Sequence, residues 1–429
     1  MRNVAVLILL VGILSVIPHA SADNVREGNV FVITVNGVIN PVSAEFIHKS
    51  LEKAVAGRAE ALVIELDTPG GLDTSMRSIV KDILSSRIPV VVYVAPSGAR
   101  AASAGVFITL AAHIAAMSPG TNIGAAHPVS VGEKMDKVMA EKATNDAAAY
   151  IISIAEQRGR NAAWAEDAVR KSVSATETQA LKDGIIDLVA KDLNSLLQSI
   201  DGRKVKVLNS ERQLRTANAV VAKEQMGLRL RILNVISDPS IAYILMLLGF
   251  YGLFFELTNP GSLLPGIIGA ISIVLAFYAF QTLPINYAGL LLIVIGIGLF
   301  LLEVKVSSYG LLTISGLISV TLGSLMLFES PLPFLRVSLS IIIPATIVTA
   351  GFFFLTFRLA YRAHKRKPVT GGEGLVGLEG LARTDISPNG GMVLVHGEIW
   401  AAWADGNIGK DEKVIVEVVS GLKVKVKRA

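Results

Sequence analysis

Five apolar segments, at residues 241–257, 263–281, 287–302, 310–328 and 338–357, follow one another in the second half of this 429-residue chain. Each is close to the ~20 residues that a helix needs to cross the hydrocarbon of a bilayer. Residues 238–360 are therefore expected to form an all-α membrane region of about five spans, with lipid as its surroundings. The composition agrees: 52% of residues are hydrophobic and 17% charged, too apolar for a uniformly soluble protein, and the excess is concentrated here. The links are short and hold Pro or Gly, as in Thr258-Asn259-Pro260-Gly261 and Leu283-Pro284-Ile285-Asn286, which suits antiparallel hairpins.

At the N-terminus Arg2, the apolar run Val4 to Ile17 and the small residues Ala20-Ser21-Ala22 read as a signal peptide over 1–22, with the mature chain starting near Asp23. An uncleaved anchor is the alternative, disfavoured because the run is shorter than a span. Starting outside, five spans end inside. There the basic cluster Arg358, Arg362, Lys365, Arg366 and Lys367 obeys the positive-inside rule. The expectation is a multi-pass protein of the cytoplasmic (inner) membrane, N-terminal domain outside and C-terminal domain in the cytoplasm. Cysteine is absent and the six His lack ligand spacing, so no metal site and no cofactor are expected.

A repeat at an offset of 47 pairs Glu256 with Glu303, Gly269 with Gly316, Ser272 with Ser319 and Leu275 with Leu322. One unit is two spans. Both glutamates fall near span ends, where a carboxylate reaches the interface cheaply, so they read as boundary residues before they read as a transport site.

Residues 23–200 alternate strand-like and helical runs, as a layered α/β domain does. Strands are expected at Val30 to Val35, Ala61 to Leu66 and Pro89 to Val94. Helices are expected at Ser43 to Ala56, Thr74 to Ser85, Ala104 to Ala112 and Asn145 to Arg158. Residues 201–237 are polar and of mixed charge, and read as a linker or stalk. Over 374–429, short β-branched runs (Met392 to Val395, Lys413 to Val419, Leu422 to Lys427) between Gly and Asn turns suggest a small five-stranded all-β barrel of the OB type. Nucleic-acid binding by such a barrel needs stacking aromatics in a basic groove. With only Trp400 and Trp403 on offer, none is expected.

Acyl transfer by a serine needs an exposed hydroxyl, a base and N–H groups aimed at the developing oxyanion. Ser103 lies in Gly98-Ala99-Arg100-Ala101-Ala102-Ser103-Ala104-Gly105, between a strand and a helix start, where unpaired N–H groups and the positive dipole end collect. Alone it reads equally well as a helix cap. It does not stand alone: Leu66-Asp67-Thr68-Pro69-Gly70-Gly71 closes an earlier strand, and Gly70 or Gly71 can supply one oxyanion donor and Ala104 the other. Two bases of different chemistry are available, His127 and Lys142. Histidine needs little tuning but relies on an orienting group, whereas lysine serves only when its surroundings leave it neutral.

The Gly-Gly turn, the Ala-Ser-Ala-Gly segment and the stretch from Ser174-Ala175-Thr176-Glu177 to Gly184-Ile185-Ile186-Asp187 resemble the ClpP/SppA superfamily of serine proteases. The domain order, exported α/β ClpP/crotonase-like domain, membrane spans and OB barrel, resembles the long NfeD family, or stomatin operon partner proteins, over nearly the whole chain. This resemblance implies a Ser-Lys dyad, carried here by Ser103 and by Lys142 just before Thr144-Asn145. It also implies cleavage of apolar peptide segments, a stomatin-like membrane partner and a homo-oligomer, at least a dimer. His127 lies close to where the soluble ClpP branch carries its histidine. That branch places an aspartate where this chain has Arg170-Lys171-Ser172-Val173, although Asp167 lies three residues earlier, so Lys142 is preferred. A non-proteolytic membrane scaffold, binding its partner through the barrel, is the rival expectation.

Overall fold

The computed structural model describes residues 28–129, 136–258, 260–261, 263–281, 283, 285–306, 308, 310–328, 330, 335–364 and 372–429. The expected signal peptide and Lys365, Arg366 and Lys367 of the basic cluster lie outside these residues.

In the N-terminal domain the strands are β1 (Val30–Asn36), β2 (Ala61–Asp67), β3 (Val90–Val94), β4 (Arg100–Ala102), β5 (Ile114–Met117), β6 (Asn122–Gly124), β7 (Ser174–Thr176), β8 (Leu188–Val189), β9 (Lys204–Val207), β10 (Ser210–Gln213) and β11 (Val221–Glu224). Its helices are α1 (Pro41–Ala56), α2 (Asp73–Leu84), α3 (Ala104–Ala111), α4 (Lys137–Gln157), α5 (Ala162–Arg170), α6 (Glu177–Lys182) and α7 (Leu193–Ile200), with α8 (Leu228–Ile236) following. Six strands form a parallel sheet in the order β11-β1-β2-β3-β5-β8. Parallel strands are covered on both faces, so they read as unbroken β-branched runs; all five residues of β3 are buried. Ile33, Leu62, Ile64 and Val92 pack under the helices of one face, and Val32, Val63, Tyr93 and Leu196 fill the other. The small sheet β4-β6-β7 lies beside the carboxyl ends of the main strands, joined to β2 by the bridge Thr68 to Ala101.

Two expectations are corrected here. Of the expected linker or stalk, residues 204–224 belong to the domain instead: β9 and β10 form a hairpin, Val205, Val207 and Leu214 are buried, and β11 joins β1 as the edge strand. The domain therefore runs to Glu224. Their polar composition arises because alternate residues of β9 face water, as its exposed-buried pattern records. Only α8 leads onward, and it packs on α1, where Asn40 Nδ2 donates to Asn234 Oδ1 at 3.2 Å. The second correction is the helix expected from Asn145, which starts at Lys137, where Asp136 accepts the Met139 N–H at 2.7 Å and caps it.

The apolar segments form α9 (Pro239–Thr258), α10 (Leu263–Phe280), α11 (Tyr287–Lys305), α12 (Leu311–Met326) and α13 (Leu339–His364). Mean hydropathies of 1.8 and 2.2 make α9 and α10 long and apolar enough to cross a membrane; the apolar runs of the other three are shorter. The repeat is structural. α9 pairs with α10 as α11 pairs with α12, and a Cβ on Gly249 would fall 2.5 Å from Ile273 just as one on Gly296 would fall 2.6 Å from Val320. Small residues let these backbones approach closely. Glu303 accepts from Ser308 Oγ at 2.7 Å and from the N–H groups of Gly310 and Thr313 at 3.1 and 2.9 Å, and Glu256 accepts from Gly261 N at 3.4 Å. Both carboxylates thus satisfy N–H groups of their own hairpin, as boundary residues do.

The C-terminal strands are β12 (Glu379–Ala382), β13 (Gly391–Val395), β14 (Glu398–Trp403), β15 (Lys413–Ser420) and β16 (Lys423–Arg428), after the short helix α14 (Gly372–Leu375). They close a barrel in the order β12-β13-β14-β16-β15 with one parallel pair, β14 to β16, which is OB topology. Ala382, Val393, Val414, Val416, Val424 and Val426 fill it. The fold class is as expected: an α/β domain of the ClpP type, an all-α region of five helices and a five-stranded barrel.

Candidate active site

The carboxyl ends of β2 and β3 and the start of α3 converge on Ser103. This serine has φ +51° and ψ −111°, a conformation that costs about 1–3 kcal/mol for a residue with a Cβ. Its N–H donates to Gly124 O at 3.1 Å, and Gly124 is pinned by β7, since a Cβ there would fall 2.4 Å from Val173 O and Ser174 Cα. Ser103 does not cap α3 with its side chain, and its half-exposed hydroxyl makes no hydrogen bond among the described residues. The cap reading is thereby excluded. Behind it, Gly105 lets α3 seat on Thr68, whose Cγ2 would lie 2.7 Å from any added Cβ.

The two glycines of the turn do different things. The Gly70 N–H is taken by Thr68 Oγ1 at 3.0 Å, so Gly70 is not an available oxyanion donor. Its φ of +119° and its contact with Ser103, 2.7 Å from the place of a Cβ to Ser103 Cβ, make it the floor of the site. The Gly71 N–H has no acceptor among the described residues, nor does that of Ala104, the first residue of α3. Gly71 is held by its neighbours: Ile39 N donates to Gly70 O and Leu72 N to Ile39 O, both at 2.8 Å. Thr68 and Gly124 went unnoticed in the sequence because their roles are contacts to distant segments.

Neither base is hydrogen-bonded to the serine. Lys142 is exposed in the second turn of α4. His127, also exposed, donates from Nδ1 to Val169 O at 2.9 Å, which leaves Nε2 as its acceptor. Asp167 does not orient this ring, being ion-paired with Lys171 at 2.9 Å.

The far end of α3 is tied down by two arginines. Arg158 Nε donates to Ala111 O at 2.7 Å; Arg160, 7% exposed, donates to Ala112 O at 2.9 Å and pairs with Asp187 at 2.7 Å. Positive charge at a helix C-terminus is favourable and fixes the helix that carries Ser103 at its other end. Beside them His113 accepts the Val90 N–H at 3.1 Å, and burial, then the charges of Arg158 and Arg160, hold it down to about 3 from the ordinary 6.5. Between those values the unfolded chain binds the proton and the folded one does not, so stability falls as pH drops from about 6.5 towards 3. His113→Gln is expected to lose about 1–2 kcal/mol less than wild type between pH 7 and 5 in denaturant unfolding. Equal losses would rule the histidine out as the cause.

A serine so placed at the carboxyl ends of a parallel sheet defines the class, a ClpP-like α/β domain, here on a membrane protein. Family descriptions match along the chain: NfeD1b N-terminal domain at 29–219, NfeD integral membrane domain at 240–359, and NfeD-like C-terminal, partner-binding domain at 372–428. With 38% identity to the membrane-bound protease PH1510 of Pyrococcus horikoshii, over 93% of both chains, this chain belongs to the long NfeD family. It is also 28% identical to membrane protein NfeD1b of Bacillus subtilis, over 98% of this chain and 97% of that one. Among solved structures it is similar to the 1510-N membrane protease specific for a stomatin homolog from Pyrococcus horikoshii (37% identity, 50% of this chain and all of that one, TM-score 0.44). A lysine-to-alanine mutant of the 1510-N stomatin-specific protease, in complex with a substrate peptide, gives 37% identity over 49% of this chain and 98% of that one, with a TM-score of 0.46.

Proposed function

We propose that this chain is a membrane-anchored serine endopeptidase that cleaves apolar, membrane-associated peptide segments. The observation that carries the reading is the strained Ser103, its hydroxyl unengaged and the N–H groups of Gly71 and Ala104 unpaired beside it. Lys142, when neutral, takes the Ser103 proton as Oγ attacks the scissile carbonyl, and the two N–H groups hold the oxyanion. The same lysine then protonates the leaving amine, and water hydrolyses the acyl-enzyme by the reverse route. Gly70 keeps the floor of the site bare. Because Lys142 is exposed in a single chain, a second copy packed over α4 is the natural way to desolvate it, which favours a homo-oligomer, at least a dimer.

The stomatin specificity of the 1510-N relative, and the match of the barrel to a partner-binding domain family, support a stomatin-like membrane protein as substrate and partner. The chain is read as multi-pass in the cytoplasmic (inner) membrane, with the active site outside, near the lipid, and the barrel in the cytoplasm.

The test uses the full-length protein in detergent and a peptide copied from the apolar C-terminal part of a stomatin-like protein. Lys142→Ala is expected to lower cleavage by roughly 10²-fold or more, and His127→Ala to stay within about threefold of wild type. An active Lys142→Ala beside a dead His127→Ala would move the base to the histidine. A wild type that cleaves nothing would leave the scaffold, which binds a stomatin-like protein without cutting it.

A further inference from the structure

One cluster of side chains ties together the helices behind all three parts of the site. Arg77 lies one turn into α2, which starts two residues after the Gly70-Gly71 pair; its Nε pairs with Asp73 at 2.8 Å and its Nη2 with Asp146 of α4. The guanidinium lies 4.5 Å from the centroid of Tyr150, also on α4. Tyr150 in turn stacks on Phe107 of α3 at 6.0 Å between centroids, one turn beyond Ser103. Arg77 therefore touches the helix of the oxyanion turn and the helix of Lys142, and through Tyr150 reaches the helix of the nucleophile.

The pairing with Asp146 has a second consequence. Asp146 is four residues beyond Lys142 on one helix, the spacing at which a lysine and a carboxylate meet. A carboxylate there favours the ammonium form, which cannot act as a base. Arg77 occupies that carboxylate and adds a positive charge near it. Among the described residues, the other charged groups on helices packed against this part of α4 are Asp73 from α2, and Glu166 and Arg170 from α5, which pair with each other at 2.7 Å while Arg170 also donates to Asn145 Oδ1 at 2.7 Å. α3 brings no charge, and Glu141 is the neighbour of Lys142 on α4 itself.

We propose that Arg77 is a positioning residue for the Ser103 and Lys142 pair, fastening the lysine helix against the helices of the oxyanion turn and the nucleophile and keeping Asp146 from pairing with Lys142. The inference rests on the dyad reading above. The experiment measures kcat, KM and the pH dependence of kcat/KM for the full-length protein on the apolar peptide, with thermal unfolding as a check on folding. Arg77→Gln is expected to lower kcat about tenfold with KM within about twofold, and to move the acid limb of kcat/KM up by roughly 0.5–1 pH unit. Adding Asp146→Asn returns the limb to its wild-type position without restoring the rate. Asp146→Asn alone, at an exposed site, slows the reaction and does not move the limb up. An active wild type whose limb stays put in Arg77→Gln, or stays displaced in the double variant, overturns this inference alone. A wild type without activity, or an active Lys142→Ala, overturns the dyad reading and this inference with it.

Discussion

Ser103→Ala is expected to lower kcat/KM on the apolar peptide by roughly 10⁴-fold or more while the folded protein unfolds within about 2 °C of wild type. The two halves of that result have separate causes. No substitute nucleophile is held between the Gly71 and Ala104 N–H groups, so the acyl-enzyme cannot form. Stability is spared because the hydroxyl makes no hydrogen bond among the described residues, and alanine at φ +51° bears the same Cβ strain as serine. Ser103→Gly sharpens the point: it is equally inactive, yet gains about 1 kcal/mol, because the strain relieved exceeds the cost of glycine's extra freedom in the unfolded chain. A Ser103→Ala protein that keeps a tenth of wild-type turnover would remove the nucleophile from the mechanism.

Gly71→Ala is expected to damage both activity and stability. Its Cβ would stand 2.0 Å from Ile39 O and 2.6 Å from Ile39 C and N, all backbone atoms. That backbone cannot yield cheaply, because the Ile39 N–H to Gly70 O and Leu72 N–H to Ile39 O bonds lie on either side of the clash. Relief requires breaking at least one of them and turning the Gly71 N–H away from the serine. The expected cost is about 3 kcal/mol or more in denaturant unfolding and roughly 10²–10³-fold in kcat, the loss associated with one oxyanion donor. Gly70→Ala differs. Its clash is with the Ser103 side chain rather than a bonded backbone, and at φ +119° an alanine also strains its own backbone, so activity and stability should both fall. Gly71→Ala that folds and cleaves like wild type would exclude this turn from the site.

Much of the fold was legible along the chain. The strands around Val30, Ala61 and Val90 and the helices around Phe46 and Ile79 are local patterns, so their bounds in the structure fall within one or two residues of the expected ones. The repeat was legible for the same reason, since each hairpin repeats its own small residues and its own turn carboxylate. Misreadings came where burial is half-sided or borrowed: β9 hides its valines behind lysines, and β11 is a strand only because β1 offers an edge to pair with.

Returning to the site, the sequence by itself determined which residue types were at hand: a serine at a strand-to-helix junction, two adjacent glycines and two bases. Only the tertiary structure decided how the serine and the glycines are set, and within one chain it hydrogen-bonds neither base to Ser103. It commits the Gly70 N–H to Thr68 and leaves that of Gly71 unpaired, it fixes Ser103 at positive φ through Gly124, and it hands Asp146 to Arg77. The physical reason is that spacing along a chain specifies helices, strands and turns, whereas the partner of each N–H and carboxylate is chosen by segments tens of residues away.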